Sequence, residues 1–248
     1  MILTVTPNPA IDLTYRVPAL EAGETHRVAP PAARAEGKGL NVARVIAQTG
    51  GAVFALTTAG GASGLRLAGD LETSSVPSEL VPVAAATRTT VAIVDDSAGT
   101  ATILTETGGA LSAAEWNALR EGANRLAGHA TALVGSGSLP PDAPDDIYAE
   151  LVAIALAHRI PSVIDAAGRS LLAASEAGAS VLKPNRRELA RRRRDGRPGR
   201  RRPPPSRRRR RAGARVARRR GNARRAPRSR TRRCAPARTA QGKRDGRR

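Results

Sequence analysis

The sequence predicts an α/β fold in which a mostly parallel central sheet is flanked by helices and carries a small antiparallel β flap. Short runs rich in β-branched residues alternate with longer amphipathic runs over residues 1–185, which is typical of a parallel sheet with helical crossovers. Glycine-rich joints follow several of these runs. One pair of runs is too closely spaced for a helical crossover, which favours a hairpin.

Six short runs have the composition and length of β-strands. They are ILTV (2–5), AVFALT (52–57), TVAIV (90–94), TALVG (131–135), PSVID (161–165) and SVLK (180–183). A further run, TATILTE at 100–106, follows Gly99 shortly after the third strand. We expect it to fold back on that strand and form the flap.

Three amphipathic runs predict helices at 39–50, 112–128 and 144–159. Their ends carry the expected signals. Ser112 and Glu115 have the spacing of a capping box, and Gly50 and Gly128 stand where helices commonly end.

Charge divides the chain sharply. Residues 1–185 carry 12 Lys and Arg against 18 Asp and Glu, whereas residues 186–248 carry 30 against 3. All four aromatic residues lie in the first part, so only this part has the means to build a core. A segment so rich in like charge does not offset its ordering entropy, and we expect a disordered C-terminal tail. The predicted boundary separates a domain at 1–189 from an Arg-rich tail at 190–248.

Localisation signals are absent from the sequence. No apolar run reaches the roughly 20 residues that a bilayer span requires, and the N-terminal residues lack the pattern of a signal peptide. The single cysteine, Cys234, has no partner for an internal disulfide. We therefore expect a cytoplasmic protein that does not contact membranes.

The strongest glycine-rich joint is EGKGLNVAR at 36–44, where Gly37 and Gly39 surround Lys38 and Asn41 follows at the start of a helix. Backbone N–H groups there are suited to an anion or a sugar hydroxyl, and the helix dipole favours the anion. No Ser or Thr follows the lysine as in a Walker loop. The alternative is a glycine-rich turn with an incidental lysine.

Six motifs occur in a recognisable order: TVTPNPAIDLT, EGKGLNVARVIAQTGG, TRTTVAI, GSGSLPP, VIDAAG and VLKPNRREL. Over roughly residues 1–189 the chain resembles the phosphofructokinase B family of ribokinase-like sugar kinases. Its opening T-P-N-P-A-x-D is most similar to the branch that phosphorylates ketohexose phosphates. The resemblance implies a ribokinase-like fold and an ATP-dependent hexose-phosphate kinase, with conversion of fructose 1-phosphate to fructose 1,6-bisphosphate as the first choice.

For the sugar phosphate, the resemblance implies a site built from Asp12, the loop from Gly37 to Asn41, Arg88 and Ser138. The chemistry of these residues agrees, since a carboxylate accepts bonds from sugar hydroxyls and a guanidinium binds phosphate with a planar fork. Structural roles remain as alternatives: a turn carboxylate for Asp12, a helix cap for Asn41, a solvated surface group for Arg88, and a tight turn for Ser138.

For ATP, the resemblance implies Lys183, Asn185 and Glu188 in KPNRRE, the last two organising the water shell of Mg²⁺ without binding it directly. Asn and Glu three residues apart at a helix start face the same way. The same spacing also fits an N-cap pair that needs no metal. Spacing alone leaves both interpretations open.

In the family, the general base belongs to a G-A-G-D motif that follows the KPN motif. Residues 189–248 contain no such motif, so no catalytic base is assigned. Gly, Ala, Arg and Pro, which GC-only codons encode, supply 47 of residues 191–248. This bias is typical of a GC-rich gene read out of frame. We expect a chain whose C-terminal third has been replaced and which is inactive as a kinase, because the G-A-G-D segment is absent.

The charge of the tail and the β flap suggest two further partners, nucleic acid and a second copy of the chain. The tail suits non-specific binding of nucleic acid through counterion release, and a selected nucleic-acid-binding function is the alternative to the kinase. It lacks the aromatic residues used for base stacking. The β flap also offers a surface for a homodimer, and the sequence alone leaves the oligomeric state open.

Overall fold

The structure is a computed structural model that describes residues 1–184. The expected boundary at 189, the tail at 190–248, and the predicted nucleotide-site residues Asn185 and Glu188 lie outside the described residues. The described elements, in chain order, are β1 (Ile2–Thr6), β2 (Ala10–Val17), β3 (Ala32–Glu36), α1 (Lys38–Gln48), β4 (Val53–Ala59), α2 (Gly61–Thr73), β5 (Ser78–Pro82), β6 (Arg88–Asp95), β7 (Thr100–Thr105), α3 (Ala113–Ala127), β8 (Ala132–Ser136), α4 (Ile147–Ala157), β9 (Ser162–Asp165), α5 (Gly168–Glu176) and β10 (Val181–Leu182).

The main sheet has six strands in the order β10-β9-β8-β1-β4-β5, and every neighbouring pair is parallel. Five of the six predicted strands lie in it, which confirms the mostly parallel sheet. The edge strand β5 was not predicted, because SELVP is short and ends in a proline that suits only an edge.

Two apolar clusters cover the two faces of this sheet. On one face, Leu3 and Val5 of β1 pack with buried residues of α3, α4 and α5. On the other face, Ala55 of β4 packs with residues of α1 and α2, including Leu40 and Leu67. Strands enclosed on both faces are expected to be apolar throughout, which is why β1 and β4 were recognised from sequence.

The small sheet has four strands in the order β3-β2-β6-β7. The predicted hairpin is present, since β6 and β7 pair antiparallel. The strand predicted at 90–94 belongs to this sheet and not to the main one. The expected antiparallel flap is a mixed sheet, because β2 leaves the end of β1 and pairs parallel with β6 while β3 pairs antiparallel with β2.

The predicted helices are confirmed as α1, α3 and α4, with ends that differ by one to three residues from the predicted ranges. The capping box of Ser112 and Glu115 is formed in both directions. Gly50 follows α1 with φ of +79°, as a C-terminal glycine should. Gly128 ends α3 in the right-handed region, so its position was predicted correctly but glycine is not required there.

Helices α2 and α5 were not predicted. Glycine disfavours helix, and GASGLRLAGDLET contains three of them, so its pattern is weak despite the buried Leu67 and Leu71. Packing against β4 and the small sheet, not helix propensity, therefore stabilises α2.

Within residues 1–184, no helix has the length and apolar character needed to cross a bilayer.

Candidate functional site

Polar side chains line up where the strands of the main sheet end. Thr6 of β1 is in register with Thr57 of β4, and Ser136 of β8 with Asp165 of β9. All four residues are buried. Carboxyl ends of parallel strands are the usual ligand-binding edge of an α/β sheet, so this row marks the edge where a site is expected.

Close packing on this edge explains the glycines of the EGKG segment. A Cβ on Gly39 would lie 2.3 Å from Oγ1 of Thr6, and one on Gly37 would lie 2.8 Å from Cγ2 of the same residue. Gly37 also has φ of +153° and supplies no side-chain cap. The first turn of α1 can therefore approach the end of β1 and present backbone N–H groups there.

Asp165 joins two lysines that come from distant parts of the chain. Nζ of Lys38 donates to Oδ1 at 3.2 Å, and Nζ of Lys183 donates to Oδ2 at 2.8 Å. The carboxylate side chain is 12% exposed, whereas the two lysines are at least half exposed. The structure thus brings a predicted sugar-site lysine and the predicted nucleotide-site lysine to one buried carboxylate.

Sequence reasoning did not single out Asp165. The signal was present in the VIDAAG motif, which places a carboxylate at the end of a strand. A lone Asp after an apolar run also fits a turn. The ion pairs that distinguish it depend on residues 127 and 18 positions away in the sequence.

Asp12 lies on β2, half-buried, with Thr90 as its partner in register on β6. Burial raises the pKa of its carboxyl above the usual value, and the nearby Glu36 raises it further. A bond from Thr90 and the charge of Arg88 act in the opposite direction. A partly desolvated carboxylate in this position can accept bonds from neighbouring hydroxyls.

Arg88 begins β6 and is held through its guanidinium by two backbone carbonyls. Nε donates to the carbonyl of Asn8 at 3.2 Å, and Nη1 donates to the carbonyl of Glu106 at 3.0 Å. Burial lowers the pKa of Arg88, and the charges of Asp12 and Glu106 partly restore it. The fork retains N–H groups beyond these two bonds, which can serve an anion.

Arg88 and Ser138 line one cavity of about 370 Å³, a size suited to a small metabolite. The remaining lining comes from the end of β7 with the loop after it, and from the loop after β8: Thr105, Glu106, Thr107, Leu139, Pro140 and Pro141. A cationic fork and a hydroxyl therefore face the same space between the two sheets.

Asn8 was also missed from sequence, although it lies in the TPNPAID motif. Its Nδ2 donates to the carbonyl of Thr107 at 3.0 Å and approaches Oγ of Ser138 at 3.5 Å. The residue is 8% exposed. Its side chain therefore contacts loops on both sides of the cavity.

Asn41 lies exposed in the first turn of α1. Its backbone N–H donates to the carbonyl of Gly37, and its Oδ1 accepts a long bond of 3.5 Å from Arg44. The buried Arg44 itself pairs with Asp70 at 2.7 Å and donates to the carbonyl of Ala35. This pair ties α1 and α2 to β3 of the small sheet.

The described part of the chain does not fit direct binding of a metal ion. No three His, Cys, Asp or Glu side chains among residues 1–184 gather in a suitable cluster. Both oxygens of Asp165, the carboxylate at the strand ends, accept bonds from ammonium groups. Two lysines beside one carboxylate suit an anionic ligand better than a cation.

These features define a class of protein: an α/β domain with a small additional sheet, in which basic groups gather where the strands of the main sheet end. The chain belongs to the pfkB family of carbohydrate kinases, whose model matches residues 6–194. Its fold is ribokinase-like.

Solved structures agree with this assignment. Phosphofructokinase-2 from Escherichia coli in complex with fructose-6-phosphate is 32% identical, with a TM-score of 0.72 over 77% of this chain and 63% of that one. A possible 1-phosphofructokinase from Thermotoga maritima is 26% identical, with a TM-score of 0.71 over 75% and 61%. The chain thus spans less than two thirds of the length of these proteins.

Proposed function

We propose that the domain is that of an ATP-dependent kinase acting on a ketohexose phosphate. The observation that carries this proposal is the cavity shared by Arg88 and Ser138, close to the carboxylate of Asp12. A phosphate group suits the guanidinium fork, and the sugar hydroxyls suit Asp12 and Ser138. The EGKG segment supplies backbone N–H groups and Lys38 beside them.

On the nucleotide side, Lys183 contacts the polyphosphate of ATP in this proposal. Its ammonium is placed at the strand ends by Asp165, which supports this role. In this proposal, Asn185 and Glu188 would hold the water shell of the Mg²⁺ that accompanies the nucleotide. That metal would neutralise charge on the phosphates.

The preferred substrate is fructose 1-phosphate, on the basis of the T-P-N-P-A-x-D opening and of the similarity to the Thermotoga maritima protein. Fructose 6-phosphate is the competing substrate, because the Escherichia coli structure holds it. Both sugars carry a phosphate for Arg88 and hydroxyls for Asp12. The relative affinities of the unmodified chain for fructose 1-phosphate and fructose 6-phosphate therefore decide which is the preferred substrate.

A polypeptide of these 248 residues is expected to transfer phosphoryl groups very slowly. Its sequence contains no G-A-G-D motif, and loss of a positioned general base commonly costs about 10²- to 10⁴-fold in rate. Purified protein should show almost no ATP-dependent phosphorylation of fructose 1-phosphate. Robust turnover that Asp12→Ala abolishes would contradict this proposal.

Binding tests the sugar site independently of turnover. The unmodified chain, Arg88→Ala and the matched control Arg169→Ala are titrated calorimetrically with fructose 1-phosphate, fructose 6-phosphate and fructose at moderate salt. Arg169 is an exposed arginine paired with Asp145, so its loss removes the same charge elsewhere. Arg88→Ala should weaken the sugar phosphates by at least about tenfold. Equal affinity in all three proteins would exclude Arg88 as the phosphate ligand.

A homodimer through the small sheet is also proposed. Strand β7 is an edge strand whose six residues are all exposed, and Ile103 and Leu104 are about 60% exposed. An exposed apolar edge strand favours pairing with another chain. One structure of Escherichia coli phosphofructokinase-2 is of a tetrameric inhibited form, so assembly is recorded for one protein to which this chain is similar.

The second candidate function rests on the charge of residues 190–248, proposed as a tail separate from the domain at 1–189. Binding of nucleic acid through counterion release should be indifferent to sequence and should fall steeply with salt. The test is titration with unrelated RNAs at two salt concentrations. A preference of about 10³-fold or more for one RNA at moderate salt would favour a selected nucleic-acid function over the kinase.

A further inference from the structure

We propose that Asn8 is a positioning residue. It holds Arg88 and Ser138 in fixed positions at the cavity and fixes the small sheet against the main sheet. This inference rests on the proposed sugar-phosphate site and extends it to a residue that does not line the cavity. It begins with the place of Asn8 in the chain. Residues 7–9 form the connection from β1 of the main sheet to β2 of the small sheet.

The connection is rigid. Proline on both sides restricts the backbone, since Pro9 confines Asn8 to extended conformations and each ring fixes its own φ. The carbonyl of Pro7 accepts a bond of 3.0 Å from Oγ1 of the buried Thr58 on β4. Asn8 is therefore held by the main sheet, and its side chain has a defined direction.

Three groups converge on Asn8 from different elements. Its Nδ2 donates to the carbonyl of Thr107, in the loop after β7, and approaches Oγ of Ser138, in the loop after β8. Its backbone carbonyl accepts from Nε of Arg88 on β6. The loop after β7 also fits closely against it, because a Cβ on Gly108 would lie 2.7 Å from Oδ1 of Asn8.

An amide side chain suits this position because it offers two N–H donors from one atom and an acceptor on the other. The donors serve one group on each side of the cavity. Loss of these bonds would leave the carbonyl of Thr107 without this donor and release Ser138 from the β1–β2 connection. Nε of Arg88 would keep the backbone carbonyl of residue 8 as its acceptor. Its Nη1, however, donates to the carbonyl of Glu106, next to the loop that the Asn8 side chain would no longer hold.

The first measurement needs no ligand. Hydrogen exchange is followed by mass spectrometry in the unmodified full chain and in Asn8→Ala. Exchange should rise in both residues 105–111 and residues 136–141. The matched control is Asn124→Ala, an asparagine on α3 that contacts His158, and it should leave both segments unchanged. Unchanged exchange in Asn8→Ala overturns the proposal.

A second variant covers the case in which Asn8→Ala does not fold. Gly108→Ala keeps Asn8 but places a Cβ against its Oδ1, and φ of +86° strains any side chain at this position. Backbone strain alone raises exchange near residue 108, so the rise that tests Asn8 is the one in residues 136–141, which belong to the other loop. If exchange rises only in residues 105–111, Asn8 does not couple the loop after β7 to the loop after β8, and the proposal fails.

The second measurement separates positioning from stability. Asn8→Ala should weaken fructose 1-phosphate by about tenfold and fructose by much less, because the effect passes through the phosphate-binding fork. In the Arg88→Ala background the same substitution should change affinity by less than about threefold, since coupled residues are not additive. Additive effects would assign Asn8 a purely structural role. If the unmodified chain binds no sugar phosphate, the proposed substrate is wrong, and hydrogen exchange still decides the role of Asn8.

Discussion

Lys38 and Asp165 lie 127 positions apart in the sequence and form an ion pair of 3.2 Å at the carboxyl ends of the main-sheet strands. Nζ of Lys183 donates to the other oxygen of the same carboxylate, Oδ2, at 2.8 Å. The pair joins the segment that begins α1 to the end of β9. A predicted sugar-binding segment and a predicted nucleotide-binding residue thus share one buried anion.

Asp165→Asn should lower the free energy of unfolding by about 1 kcal/mol, because it leaves two ammonium groups together without their counter-charge. The value stays modest because both lysines are well exposed to solvent. Chemical denaturation measures it. Asp145→Asn, which breaks an exposed ion pair with Arg169, is the control and should have little effect. An Asp165→Asn variant as stable as the unmodified chain would mean that the group contributes no stability.

Gly39→Ala should lower the free energy of unfolding by about 1 to 3 kcal/mol, since the new Cβ overlaps Oγ1 of Thr6. Thr6→Ala in the same chain removes that atom and should recover most of the loss. Gly69→Ala is the matched control, because a Cβ there meets nothing within 4 Å and alanine favours helix. Failure of Thr6→Ala to rescue Gly39→Ala would show that this contact is not the cause.

Asp12→Asn should make the fold more stable at pH 7 while weakening binding of sugar phosphate. Burial raises the folded-state pKa of Asp12, so ionisation opposes folding, and stability is lost as pH rises through that pKa. The stability gained by Asp12→Asn should shrink below about pH 3.8, because the carboxyl of Asp12 is then protonated in the unfolded chain as well. Thermal unfolding at pH 7 and below pH 3.8 tests this, with Asp145→Asn as the control at an exposed ion pair. A gain that persists at low pH would contradict the electrostatic cause.

Ile103→Lys combined with Leu104→Lys should convert a dimer to a monomer, because charge on an edge strand opposes pairing with another chain. Light scattering after size-exclusion chromatography gives the mass. Leu65→Lys is the control, since Leu65 is a still more exposed apolar residue that lies on α2. A monomeric unmodified chain, or a doubly substituted chain that remains dimeric, would exclude the small sheet as the interface.

Much of the fold could be predicted from local pattern. The strands that are enclosed on both faces have continuous apolar runs, and α3 carries its own capping signals, so their positions depend on few distant contacts. The strand at Ala32–Glu36 has the opposite character: AARAE favours no strand by itself, and it becomes one because β2 supplies its hydrogen bonds. Tertiary pairing overrides propensity there.

The sequence by itself determined the order of the motifs, and with it the family and the residue types that a phosphate and a sugar require. Only the tertiary structure decided which of these residues meet. Arg88 and Ser138 share a cavity, and Lys38 and Lys183 share Asp165. It also identified Asn8 and Asp165, whose bonds reach across about 18 to 130 positions. Parallel strands bring distant chain ends to one edge, so the partners of a polar residue there are set by the sheet order and not by its neighbours in sequence.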